Sequence, residues 1–347
     1  MTARQPDEFA ATLRAGGIDL AQRRVLLSVL AGSEQESDLT ESPVCEGLGR
    51  IRHFQRATSP GWPDNLLPLA PAARWLSKAA PPSTIRALVY QNAVCNWRCW
   101  YCFVPFNLLA GHPGRSRWVT AEQLVGFYRA LPDEDRPAII DLSGGQPDLV
   151  PEWTVWMMDA LAEADLTRQV YLWSDDNLSN DYLFRYLTVD QIGHLAGAPN
   201  YGRACCLKGF DRTSFEFNTG APADHFDRQL NLLNRIIATG MDVYCYATFT
   251  TPTLPADPTD AMRRFADQLQ SIDECLPLRV TPLEVSVFSP VRPRIRALHV
   301  QSLQLQHHMV RAWQAVIEER FDGARRTMAI SDVPLADRAN AGWSRNS

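Results

Sequence analysis

Six short apolar runs, at 85–90, 138–142, 170–173, 203–207, 241–249 and 278–288, punctuate the chain. Each has the length of a buried strand rather than of a helix. Between them, apolar positions fall at helical spacing. Thr120 followed by Gln123 forms a capping box and opens a helix that Pro132 stops. Pro151 leads a helix over 151–164, helical segments run on to about Leu195, and a helix at 223–239 ends against Gly240. Further helical patterns cover 258–269 and 298–321, and the polar end of the chain is expected to be loose. Strands alternating with helices predict a parallel sheet covered by helices, an α/β fold. Six units are too few to close an eight-stranded barrel. The expected architecture is a partial (β/α)6 TIM-like barrel with a helical N-terminal extension, its ligands gathered at the C-terminal ends of the strands.

Residues 1–84 read differently. Phe9, Leu13, Leu20, Val25, Leu26, Val29 and Leu30 give 7–31 a helical periodicity broken at Gly16-Gly17; 32–46 is polar and acidic, and 58–82 is a connector rich in Pro, Trp and Ala. The expected organisation is an extension and connector over 1–84, the partial barrel over 85–297, and a C-terminal helix and tail over 298–347.

Composition narrows the function classes. With 347 residues, 46% hydrophobic, 21% charged and a net charge of −5, the chain has the balance of an ordinary globular protein and can bury a full core. It lacks the basic excess that holds nucleic acid by charge alone. No apolar run approaches the ~20 residues that span a bilayer, and no apolar stretch follows Arg4 as in a secretory signal. A cytoplasmic location is expected, where eight cysteines point to metal or catalysis rather than to a disulfide framework. Only Lys78 and Lys208 are lysine among 34 basic residues.

Three of the cysteines lie together in Cys95-Asn-Trp-Arg-Cys99-Trp-Tyr-Cys102, just after the first strand. Thiolates restrict the metal to zinc, copper(I) or iron–sulfur. A structural zinc site needs a fourth ligand, for which Cys45 and His112 are candidates. Three cysteines on an iron–sulfur cluster instead leave one iron free to bind something else. Cys205, Cys206 and Cys245 fall inside predicted strands and read as small core residues.

Cys-x3-Cys-x2-Cys in the first loop of an αβ-repeat domain resembles the radical S-adenosylmethionine superfamily. The resemblance implies that Cys95, Cys99 and Cys102 hold a [4Fe–4S] cluster. It also implies that the fourth iron chelates S-adenosyl-L-methionine, which the reduced cluster cleaves to a hydrogen-abstracting 5′-deoxyadenosyl radical. Further motifs match in order. Tyr101, the aromatic residue before the third cysteine, would lie near the adenine. Ser143-Gly144-Gly145-Gln146-Pro147 is similar to the family's Gly-Gly-Glu-Pro loop at the cofactor's amino group, with Gln146 in place of glutamate. Asp175, Asp176 and Asn177 follow the third strand, where relatives bind ribose or the methionine part. Lys208 is similar to the strand-end lysine of glycyl-radical-enzyme activases that faces the cofactor carboxylate. The resemblance spans about 85–290 and implies a small-molecule or peptide substrate and an external electron donor such as flavodoxin or ferredoxin. Small-molecule tailoring leads; a glycyl-radical activase, a ribosomal-peptide modifying enzyme and a zinc-stabilised binding module are the alternatives. Tyr246, Thr248 and Thr250 on the fifth strand, with Glu284 and Ser286 on the sixth, would line the cavity if the strand register turns them inward.

Overall fold

Helix α1 (Pro6–Gly17) opens the part of the chain that the computed structural model describes, residues 6–335; the expected loose end lies outside it from 336 on. Next come β1 (Ile18–Asp19), β2 (Arg24–Ser28) and β3 (Gly49–Gln55), then α2 (Leu69–Trp75) and β4 (Thr84–Gln91). β5 (Ser116–Thr120) precedes α3 (Ala121–Ala130), β6 (Ile139–Ser143) and α4 (Glu152–Glu163). The alternation continues through β7 (Tyr171–Asp176), α5 (Tyr182–Tyr186), α6 (Val189–Gly197), β8 (Tyr201–Leu207), α7 (Arg212–Thr219) and α8 (His225–Ile237). It closes with β9 (Val243–Thr248), α9 (Pro258–Gln270), β10 (Val280–Leu283) and α10 (Ala297–Arg320). The larger sheet has the order β10-β9-β8-β7-β6-β4-β3 and is a curled, open half-barrel flanked by helices. Its six predicted strands are all parallel; β3 is added antiparallel on the β4 edge.

Three local expectations are corrected. Residues 18–31 are not helical: after Gly17, β1 and β2 form a hairpin and β2 pairs with β5 in a separate three-stranded sheet. The turn is closed by Asp19 Oδ1, which accepts from the Gln22 amide at 3.1 Å, and the apolar run after Arg24 is short enough to serve a strand. The connector is not without regular structure, since α2 forms inside it. The sixth strand stops at Leu283 because the backbone of Val285 bonds instead to the Gln306 side chain of α10, at 3.1 Å through its amide and 3.0 Å through its carbonyl.

Side chains alternate across the half-barrel as the strand period requires. Ile51, Leu88, Ile140, Leu142, Leu172, Leu207 and Val243 face the helices, together with Cys205 and Cys245. Phe54, Ile85, Ala87, Ile139, Tyr171, Trp173, Tyr244 and Tyr246 face the lumen, and half-buried Cys206 packs with them. Leu67, Leu69, Ala70 and Ala72 join this lumenal cluster, so the connector and α2 pack into the lumen of the half-barrel. Two polar contacts hold them there. Trp62 Nε1 donates to the Pro282 carbonyl at 3.2 Å, and the Tyr246 hydroxyl lies 2.8 Å from the Leu67 carbonyl.

Candidate functional site

The cysteine loop leaves β4 through Asn92, which ties it to the loop after β6. The Asn92 amide donates to Ser143 O at 3.0 Å, its Oδ1 accepts from the Val94 amide at 2.9 Å, and the Gln146 amide donates to Val94 O at 2.7 Å. That approach explains both glycines. A Cβ on Gly145 would stand 2.4 Å from Asn92 O and 2.5 Å from Val94 O, one on Gly144 would overlap Gln91, and both have positive φ, +48° and +60°. The far side of the loop is anchored by tryptophan. Trp100 donates through Nε1 to Asn218 Oδ1 at 3.1 Å and stacks on the His299 ring at 4.4 Å, while Trp97 meets Phe215 edge-on at 5.2 Å.

Within this frame Cys95 and Cys99 are buried and Cys102 is half-buried. Burial pushes the Cys95 thiol up to about 11 and the Cys99 thiol to about 12, and the Lys208 ammonium pulls both the other way. Burial works against the charge on Lys208, but Cys206, Tyr101, Cys99 and Cys102 together hold its pKa above the usual lysine range. Tyr101 is buried, its hydroxyl 3.0 Å from Thr248 Oγ1 and its pKa raised by desolvation. Asn177 Nδ2 lies 3.8 Å from Cys95 Sγ. The loop, Lys208, Tyr101 and Asn177 therefore meet at the C-terminal ends of β4, β7, β8 and β9.

Other predicted site residues turn away. Gln146 is fully buried, donating from Nε2 to Asp176 Oδ1 at 2.7 Å and accepting from the Asn177 amide at 2.9 Å. Asp176 also accepts from the Leu178 amide at 2.8 Å and pairs with Arg203 at 2.9 Å. These two side chains are committed to holding the loops together. Asp175 is the carboxylate of the pair on the lumenal side; it accepts a hydrogen bond from the Ser143 hydroxyl, and burial raises its pKa. Gln229 of α8 escapes sequence reasoning because it sits mid-helix with no motif. Its Nε2 donates to Asn177 O at 2.6 Å and Cys206 O at 2.9 Å, and its Oε1 accepts from the Lys208 amide at 3.1 Å, bridging the ends of β7 and β8. Of the possible cavity residues, Thr250 is tied instead to Asn218 Oδ1 at 2.7 Å, and Ser286 is exposed.

Among the described residues no three Cys, His, Asp or Glu side chains close around one point as the ligands of a single metal ion would. Tetrahedral zinc requires its donors about 2.0–2.3 Å from a common centre. A four-iron cluster takes each thiolate on a different iron, so its cysteines need to share a loop and a face but not one coordination sphere. Three soft donors in one loop, mutually repelling as thiolates and faced by the Lys208 ammonium with the Arg98 and Arg294 guanidinium groups nearby, fit such a cluster in donor chemistry and charge.

No family model matches the chain. The 7-carboxy-7-deazaguanine synthase of Methanothermobacter thermautotrophicus is 24% identical over 204 residues, 57% of this chain and 74% of that protein. Solved structures that overlay on it include Streptococcus suis SuiB bound to S-adenosylmethionine, at 16% identity and a TM-score of 0.38 over 53% of this chain. A radical SAM methyltransferase from Sphaerobacter thermophilus gives 16% identity and a TM-score of 0.28 over 57%. The chain spans only 37% of the former's length and 66% of the latter's, and overlays this distant carry no argument about function. No described helix is long and apolar enough to cross a membrane.

Proposed function

We propose that this chain is a radical S-adenosylmethionine enzyme acting on a small organic molecule. The observation that carries the reading is the three-thiol loop after β4, packed against the Gly-Gly-Gln-Pro turn and faced by Lys208. Cys95, Cys99 and Cys102 would hold a [4Fe–4S] cluster with S-adenosylmethionine beside it. Bound there, the pair supplies one-electron reductive cleavage of the cofactor and a radical able to abstract hydrogen. The chain's own residues do the rest. Lys208 offers a point charge to the cofactor carboxylate, and Tyr101, fixed by Thr248, offers a flat apolar face for adenine. Asn177, Gly144 and Gly145 present polar backbone and amide groups at the same rim. Gln146 and Asp176 act one step behind, holding Asn177 in position. The flanking Trp97 and Trp100 exclude water from the loop. A small-molecule substrate is in keeping with the curated relative, whose name is that of a synthase of a small heterocycle. An external one-electron donor, flavodoxin or ferredoxin, completes the proposal.

The test is anaerobic reconstitution with iron and sulfide, followed by dithionite and S-adenosylmethionine. The reading predicts a brown protein that forms 5′-deoxyadenosine, and a folded, colourless, inactive Cys99→Ala variant. A colourless wild-type protein with stoichiometric zinc, unfolded by Cys99→Ala, would establish the zinc-stabilised module instead.

A further inference from the structure

Four charged side chains face the lumen without pairing with one another. Arg50 and Arg52 come from β3, the antiparallel edge strand, and lie two residues apart on the face that carries Phe54. The sheet register aligns Arg50 with Val89 of β4, and Val89 with Asp141 of β6. Residues in register on neighbouring strands share a face, so Arg50 and Asp141 look into the same lumen with one strand between them. Asp175 of β7 stands one layer nearer the strand ends, hydrogen-bonded to Ser143.

The state of these groups is unusual for a protein interior. Asp141 is wholly buried, and neither carboxylate oxygen has a hydrogen-bond partner. Arg50 is 7% exposed, and its Nε is likewise unpartnered. Among the described residues, the Phe103 ring lies 5.0 Å from the Arg50 guanidinium and the Phe54 ring 4.0 Å from that of Arg52, with no hydrogen bond or ion pair to either. No ion pair joins either arginine to either aspartate, although each feels the others' charge: Asp141 is raised by burial and by Asp175, against the pull of Arg52 and Arg50. Buried charges are ordinarily paired, because one left alone costs several kcal/mol. Two guanidinium and two carboxyl groups held apart in one lumen leave that pairing to something between them.

Resting on the radical-enzyme reading, we infer that the substrate is a zwitterion, an α-amino acid or short peptide. Its carboxylate is taken by Arg50 and Arg52 and its ammonium by Asp141 and Asp175. The site lies on the lumenal side of Lys208 and the cysteine loop, so a molecule held at both poles presents its middle to the cofactor end of the half-barrel. The edge strand of the N-terminal extension thus contributes half of the specificity.

Two readouts on the full-length reconstituted chain test this, and neither is turnover. The first is thermal unfolding without ligand. If the groups are kept for a ligand, Asp141→Asn and Arg50→Met each raise the midpoint by a few degrees, since the first removes a carboxyl that burial keeps from ionising and the second a buried guanidinium with no carboxylate partner. A drop in the midpoint for both variants would mean that the groups pair with each other for stability, and would overturn the inference. The second is a thermal-shift screen of the twenty free amino acids and the dipeptide Ala-Ala. At least one should stabilise the wild type. Its amide and its N-acetyl derivative should each bind roughly 10- to 100-fold more weakly, the former mirrored by Arg50→Met and the latter by Asp141→Asn. Stabilisation by none of them, or equal binding of the capped derivatives, rejects the zwitterion. Iron content and substrate-independent 5′-deoxyadenosine formation are measured alongside. Their loss in wild type would count against the radical reading, whereas their retention with no amino-acid binding would count against this one.

Discussion

Arg203→Met should be among the most damaging single changes in the protein, although Arg203 lies behind the site. Its guanidinium is 1% exposed between Asp148 at 3% and Asp176 at 1%, bonded to both carboxylates and 3.3 Å from the Tyr201 hydroxyl. Removing it strands two buried carboxylates, a loss of the order of 3–5 kcal/mol against a total stability of about 5–15 kcal/mol for a domain. Asp176 holds Gln146, and Gln146 holds the Asn177 amide, so iron retention should fall as well. Urea denaturation measures the loss. The effect carries a sign with pH. Burial already raises the Asp148 carboxyl in spite of Arg203, and without the arginine burial acts unopposed. A carboxyl whose folded pKa exceeds its unfolded value, about 4, favours folding below that value and loses the contribution as pH rises through the folded pKa. The deficit of Arg203→Met should therefore be smaller at pH 5 than at pH 8. Adding Asp148→Leu should restore at least about 1 kcal/mol at pH 8. A loss below about 1 kcal/mol, or a deficit independent of pH, would refute the reasoning.

Three further changes probe the frame around the site. Gly145→Ala must push a Cβ into Asn92 O and Val94 O at a positive φ, and should cost at least about 2 kcal/mol in urea denaturation together with most of the iron. Tyr246→Phe removes the hydroxyl that reaches Leu67 O and Asn65 Oδ1; loss of about 1–3 kcal/mol is expected, with limited proteolysis of the 58–82 connector accelerated. Lys208→Met should leave iron content unchanged while weakening S-adenosylmethionine binding roughly tenfold by calorimetry; unchanged affinity would remove Lys208 from the cofactor site.

How much of this could be read from the residues depends on whether the signal is local. The six parallel strands were legible because both of their faces are covered, which leaves unbroken apolar runs, and the Thr120–Gln123 capping box forms as expected. β3 was not legible, since Arg50, Arg52 and His53 give Gly49–Gln55 a polar look. Two of its three lumenal positions, Arg50 and Arg52, are charged and only Phe54 is apolar, so the usual apolar alternation is absent. Residues 18–31 misled because a hairpin of short apolar runs mimics a helical period over so few turns. The cysteine spacing and the order of motifs after successive strands pointed to one end of the sheet, and Cys95, Tyr101, Asn177 and Lys208 do meet there. The turning of Gln146 and Asp176 away from the lumen depends on Arg203 and on loops 30 residues apart in sequence, and no local pattern announces it.

The central claim is that Cys95, Cys99 and Cys102 bind a cluster with one iron left open for S-adenosylmethionine. Electron paramagnetic resonance of the dithionite-reduced, reconstituted protein tests it most directly. The account predicts a [4Fe–4S]⁺ signal that changes shape when S-adenosylmethionine is added and disappears in Cys95→Ala, Cys99→Ala and Cys102→Ala. A cluster signal indifferent to S-adenosylmethionine, or one that survives loss of any of these three thiols, would contradict it.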